Sequence, residues 1–157
     1  MAPHARARGA NGDVRVAIVG MNNKGAQHVG VFDGLPGVRV AALCDVDRAI
    51  LEREARRFRD RNDKIDLHVD FRAVLDDPNI DAVVIATPDR WHALQTIWAC
   101  QAGKDVFVEK PVSHNLWEGS QLVAAARKYE RIVQTGTQSR SSPGLAEAIA
   151  DVAKELD

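Results

Sequence analysis

The stretch that decides the fold runs from Val16 to Gly30, "VAIVGMNNKGAQHVG". It opens as an apolar strand, breaks at Gly20, makes a polar turn and reaches a second glycine, Gly25, where a helical pattern begins. Gly20-Met21-Asn22-Asn23-Lys24-Gly25 fits the G-x-G-x-x-G turn at its outer positions and carries asparagine at the middle one. Placed directly after an apolar strand and opening a helix, such a turn points backbone N–H groups and the positive end of the helix dipole at a diphosphate. Asparagine tolerates left-handed backbone best among the non-glycine residues, so the turn is expected to survive with Asn22 in it. The Gly20 to Gly25 spacing also suits a triphosphate loop, but that motif continues with Lys and Ser or Thr, and here Ala26 and Gln27 follow. Taken alone, the stretch fits equally well a turn that binds nothing, with glycines required only by backbone shape.

Asp45 shifts that balance. It ends the next apolar run, "VAALCD", about 20 residues after Gly25, where a carboxylate accepts hydrogen bonds from the ribose hydroxyls of a dinucleotide. Asp45 and Asp47 are also both suited to cap the helix that begins near Asp47. Two carboxylates near the ribose 2′ position repel a 2′-phosphate, so NAD is expected as cofactor over NADP, with Arg48 as the one nearby residue arguing otherwise.

Outward from this turn, short β-branched runs alternate with longer stretches of helical spacing. The expected strands are Val14 to Val19, Val38 to Cys44, Asp66 to Val69, Ala82 to Ala86, Val106 to Val108 and Ile132 to Thr135. The expected helices are Lys24 to Asp33, Asp47 to Arg61, Phe71 to Leu75, Arg90 to Ala102, Leu116 to Tyr129 and Leu145 to Leu156. Parallel strands need a return segment of helical length, and nearly continuous apolar strands such as "VRVAIV" and "DAVVIA" need cover on both faces. The fold class is therefore α/β: a doubly wound parallel six-stranded sheet in the order 3-2-1-4-5-6, with a ligand crevice at the carboxyl ends of strands 1 and 4.

The chain has 157 residues, enough for one ordinary core. Its 21 Lys and Arg against 22 Asp and Glu create no field for nucleic acid or an anionic membrane, so neither is an expected partner. Cys44 and Cys100 stand far apart in apolar runs and read as core residues, and no metal site is expected. Residues 1–12, "MAPHARARGANG", read as a disordered leader with no apolar segment behind it. The expected location is the cytoplasm, or the periplasm where an upstream export signal has been removed. Residues 13–141 read as the dinucleotide-binding domain and residues 142–157 as the start of a linking helix.

The strings "GMNNKG", "ALCDVD", "ATPDRWHA" and "DVFVEKPVSHN" together resemble the glucose-fructose oxidoreductase, inositol dehydrogenase and rhizopine-catabolism (Gfo/Idh/MocA) family, most specifically in Glu109-Lys110-Pro111. The later "VQTGTQSRSSP" resembles a bacterial branch whose members often carry export signals. The resemblance implies a Rossmann domain followed by a larger α/β domain that supplies much of the substrate pocket. It implies Gly20, Met21, Asn22, Asn23 and Gly25 at the diphosphate turn and Asp45 at the ribose, with Thr87, Pro88 and His92 bordering the cofactor. Glu109 and Lys110 would face the nicotinamide and substrate, and Gln138 and Arg140 would lie at the passage to the second domain.

Oxidising a secondary alcohol requires an acceptor for the hydroxyl proton and the reverse reaction requires a donor; Lys110, at the carboxyl end of strand 5, is the candidate for both. His92 reads equally as an exposed helix-start residue or as a ligand-facing one. Ser113 is the expected cap of the next helix, and Trp91, Trp98 and Trp117 read as packing residues. In the family, a second set of acid/base residues comes from the C-terminal domain, which this sequence does not contain. The chain thus reads as the cofactor half of an oxidoreductase acting on a sugar, cyclitol or related polyol, with a homo-oligomer expected where the uncovered face self-associates. Two alternatives are a non-catalytic binding or regulatory module and the family's NAD-dependent glycosidase branch, against which the lysine of Glu-Lys-Pro argues.

Overall fold

The computed structural model describes residues 12–155. The expected leader lies outside them apart from Gly12, as does Leu156 of the last expected helix. In chain order the elements are β1 (Val14–Val19), α1 (Lys24–Asp33), β2 (Val38–Cys44), α2 (Arg48–Arg59), β3 (Asp66–His68), α3 (Phe71–Asp76), β4 (Ala82–Ile85), α4 (His92–Gln101), β5 (Asp105–Val108), α5 (Leu116–Lys128), β6 (Val133–Thr135) and α6 (Pro143–Glu155). Short 3-10 turns, Asp89–Trp91 and Gln138–Ser141, precede α4 and α6.

The sheet order is β3-β2-β1-β4-β5-β6, and every neighbouring pair is parallel, as the alternating pattern predicts. Period-two geometry sends Val16 and Ile18 of β1 into one apolar cluster and Ala17 and Val19 into the other. Both faces are therefore covered, and each buried Val or Ile contributes about 1.5–3 kcal/mol relative to exposure. On α2 the buried positions are Leu51, Glu54, Ala55 and Phe58, the spacing of one helical face. Glu54 is tolerated there because Arg53 and Arg57 bond its two oxygens at 2.9 and 2.8 Å.

Element ends differ from expectation by one or two residues. Ile132, 73% exposed, falls outside β6 because its N–H goes to the Asp105 carboxylate instead of the ladder. Asp47 caps α2 through Ala49 N, and Asp70 caps α3 through Arg72 N. Hydrogen bonding to the Arg72 guanidinium holds the Asp70 carboxyl down at about 2. Asn115, not Ser113, caps α5: its Oδ1 accepts the N–H of Glu118, and the Glu118 carboxylate returns to the N–H of His114.

Trp98 packs against the core as expected, but Trp91 and Trp117 are 47% and 70% exposed. Both stand in the turns that open α4 and α5, ahead of the helical faces that meet the sheet. Cys44 and Cys100 are buried core residues; burial pushes the Cys44 thiol up to about 12 and raises that of Cys100. No helix among the described residues is long and apolar enough to cross a membrane.

Candidate functional site

The strand order reverses between β1 and β4, and the loops that follow their carboxyl ends diverge to leave a crevice. It holds about 400 Å³ and is lined, among the expected residues, by Asn23, Thr87, His92, Glu109, Lys110 and Gln138.

Gly20 and Gly25 shape the turn beside it. Gly20 has φ 80°, and a Cβ there would lie 2.9 Å from the Thr87 backbone. A Cβ at Gly25 would lie 1.7 Å from the Gly20 carbonyl oxygen, so the first turn of α1 closes onto the strand end only because no side chain intervenes. Asn22 is not among the residues of positive φ; the left-handed step belongs to Gly20 alone in this turn, and asparagine's special tolerance is not used. Side chains cap α2, α3 and α5, whereas α1 and α4 have no side-chain cap. The leading N–H groups of α1 and the cradle beneath them fit an anionic diphosphate.

Asp45 is tethered before any ligand arrives. Its Oδ2 accepts the N–H of Met21 at 2.7 Å and its Oδ1 accepts that of Asp47 at 3.0 Å. The helix cap is thus Asp47, and Asp45 instead ties the end of β2 to the glycine turn, with lone pairs left on both oxygens. Met21 offers a cofactor little: its side chain is in the core, its N–H is held by Asp45, and Arg53 bonds its carbonyl at 3.2 Å.

The loops after β4 and β5 are tied to each other by His92. Its ring is 2% exposed, with Nδ1 2.6 Å from the Pro111 carbonyl and Nε2 2.7 Å from the Thr87 carbonyl. A ring with one N–H satisfies one of these carbonyls, and the doubly protonated ring satisfies both. His92 is therefore not an exposed helix-start residue; it lines the crevice as a brace, with both ring nitrogens engaged. Thr87 gives its hydroxyl to Gln95 at 2.7 Å, and Pro88 precedes the 3-10 turn.

At the end of β5 the two site candidates part company. Lys110 is exposed at the crevice, whereas Glu109 is 5% exposed, its carboxylate bonded to His28 Nε2 at 2.8 Å and to the N–H of Lys110 at 3.2 Å. Gln138 stands on the turn after β6, and the side chain of Arg140 lies outside what the structure describes. The crevice also brings in Lys24 and Asp89, which sequence reasoning passed over. The signal for Lys24 was its place in the turn itself, a cation beside the expected diphosphate.

Comparison with known proteins accords with this geometry. The profile of the Gfo/Idh/MocA family, described as an oxidoreductase family with an NAD-binding Rossmann fold, matches residues 14–137. A glycosyl hydrolase family 109 protein of a Shewanella species is 33% identical over 123 residues, which are 75% of this chain and 27% of that protein. The chain therefore spans about a quarter of the length of the curated relatives it matches. Myo-inositol 2-dehydrogenase from Lactobacillus plantarum superposes with a TM-score of 0.78 at 27% identity, covering 90% of this chain and 42% of that one. Biliverdin reductase from Synechocystis, in complex with biliverdin and NADP+, gives 0.71 at 28% identity, covering 78% of this chain and 37% of that one.

Proposed function

Because the chain belongs to the Gfo/Idh/MocA oxidoreductase family through its NAD-binding Rossmann fold, we propose that it forms the cofactor side of an enzyme moving hydride between a nicotinamide dinucleotide and a sugar, cyclitol or related polyol. The observation that carries this reading is that the uncapped start of α1 and the exposed Lys110 after β5 open on one switch-point crevice, while Asp45 at the end of β2 is tied to the same glycine turn through Met21. When bound, the nicotinamide supplies the hydride acceptor for oxidation of a secondary alcohol.

The chain's own residues do the rest. The glycine turn and α1 seat the diphosphate, and the spare lone pairs of Asp45 accept the ribose hydroxyls, which favours NAD over NADP because a 2′-phosphate would face a carboxylate. Lys110, as the amine, takes the hydroxyl proton when the carbonyl forms and returns it in the reverse direction. Gln138 borders the same opening.

The family's glycosidase branch is a second reading, favoured by the Shewanella relative's name. The two separate in one assay on the chain joined to a family substrate domain. NADH accumulating with a member of a polyol panel, and lost in Lys110→Ala, supports the dehydrogenase. Sugar released from an N-acetylgalactosaminide without net NADH would replace it with the glycosidase.

A further inference from the structure

His28 lies three residues beyond Gly25, on the face of α1 that Gly25 allows to close onto the sheet. Its ring is buried, with Nε2 2.8 Å from Oε1 of the buried Glu109. Phe32 and Phe107 meet the imidazole edge to face, with centroids at 6.0 and 5.3 Å, so the pair sits in an apolar sleeve. Gly136 backs the carboxylate: a Cβ there would lie 3.2 Å from Glu109 Oε1 and 3.0 Å from Phe107 Cζ. The other oxygen, Oε2, accepts the N–H of Lys110.

A carboxylate buried among rings is costly unless hydrogen-bonded, and this one has a donor on each oxygen. Its orientation is set by His28 on one side and by Gly136 behind it. We propose that His28 is a positioning residue for Lys110: by holding Oε1 it aims Oε2 at the Lys110 amide and fixes the backbone from which the lysine enters the crevice. This rests on the reading of Lys110 given above. It also makes Glu109 a part of the scaffold of the crevice that it lines. The same bond joins α1, whose N-terminus faces the diphosphate, to the loop that carries the proton-handling lysine. Seating a dinucleotide on α1 therefore restrains Lys110, and restraint of Lys110 strengthens dinucleotide binding in return.

Amide hydrogen exchange on the 157-residue chain, with and without NAD, tests this in wild type, His28→Leu and His28→Gln. The leucine variant is expected to speed exchange at Lys110 by on the order of 10-fold or more while amides of β1 and β2 keep their protection. NAD should slow exchange at Lys110 in wild type and lose that effect in the leucine variant. Glutamine, whose amide can donate to Oε1, should recover most of both. Unchanged exchange at Lys110 in the leucine variant overturns the proposal. So does equal acceleration across β1 and β2, because that marks general destabilisation. Should the leucine variant not fold, His28→Asn, polar but too short to reach Glu109, decides the same comparison. A wild-type chain that binds no NAD by calorimetry would sink the reading of the crevice, while exchange at Lys110 without ligand still decides the role of His28.

Discussion

Asp45 serves the glycine turn before it serves any ligand. Its two hydrogen bonds, to Met21 and Asp47, hold the end of β2 against the turn after β1, and a charged hydrogen bond of this kind contributes about 1.5–3 kcal/mol. Asp45→Ala removes both tethers together with the proposed ribose contact, so NAD affinity is expected to fall roughly 10- to 100-fold. Asp45→Asn keeps an acceptor for Met21 and removes the charge, so it should keep the turn and raise NADP affinity relative to NAD. Calorimetric titration of both dinucleotides checks this, and a wild-type chain that binds NADP more tightly than NAD contradicts it. At this scale the sequence was legible in part. Gly20, Gly25, Asp45 and Lys110 stand out by type and spacing, but a second duty, such as the tether at Asp45 or the brace at His92, is a contact between segments that spacing does not reveal.

Helix α5, which follows the Glu-Lys-Pro loop, starts at a side-chain cap. Asn115 Oδ1 takes the Glu118 N–H at 2.9 Å, and Glu118 answers through the His114 N–H at 3.0 Å, so the box fixes both the start of the helix and the exit of the loop. Asn115→Ala is expected to cost about 0.5–2 kcal/mol. For a chain of this size that lowers the thermal midpoint by about 2–4 °C per kcal/mol. Ser113→Ala should leave it nearly unchanged. A calorimetric scan of the two variants separates them, and the reverse ranking would return the cap to Ser113. The helix was legible from its apolar spacing, but Ser113 and Asn115 are both good cap types two residues apart. Only the direction in which the loop leaves β5 chooses between them.

At the scale of the molecule, the crevice is bounded by the loops after β1, β4, β5 and β6. Leu145, Ile149 and Val152 of α6 are 47, 69 and 57% exposed and fall at the i, i+4, i+7 spacing of one helical stripe. Holding donor and acceptor in near-attack geometry accounts for up to about 7–11 kcal/mol of a barrier, so the isolated chain is expected to turn over sugars negligibly. It is also expected to self-associate through the α6 stripe, and Ile149→Glu should weaken that association. NADH formation across a polyol panel checks the first point and sedimentation of the two proteins checks the second. Robust turnover by the isolated chain, abolished in Lys110→Ala, would show that these loops are enough.

The sheet order, its parallel pairing and the site of the crevice were determined by sequence alone. Local periodicity forces each segment into strand or helix, and short apolar strands separated by helices have one common way to bury both faces. The glycine turn and the Glu-Lys-Pro motif were readable for the same reason, since each is contiguous. Tertiary structure alone decided what crosses between segments. Among these are the bond from His28 to Glu109 across 81 residues, the brace of His92 on Thr87 and Pro111, and the exposure of Trp91 and Trp117. Such contacts depend on the angle at which helices settle onto the sheet, a product of packing over the whole core that no local pattern encodes.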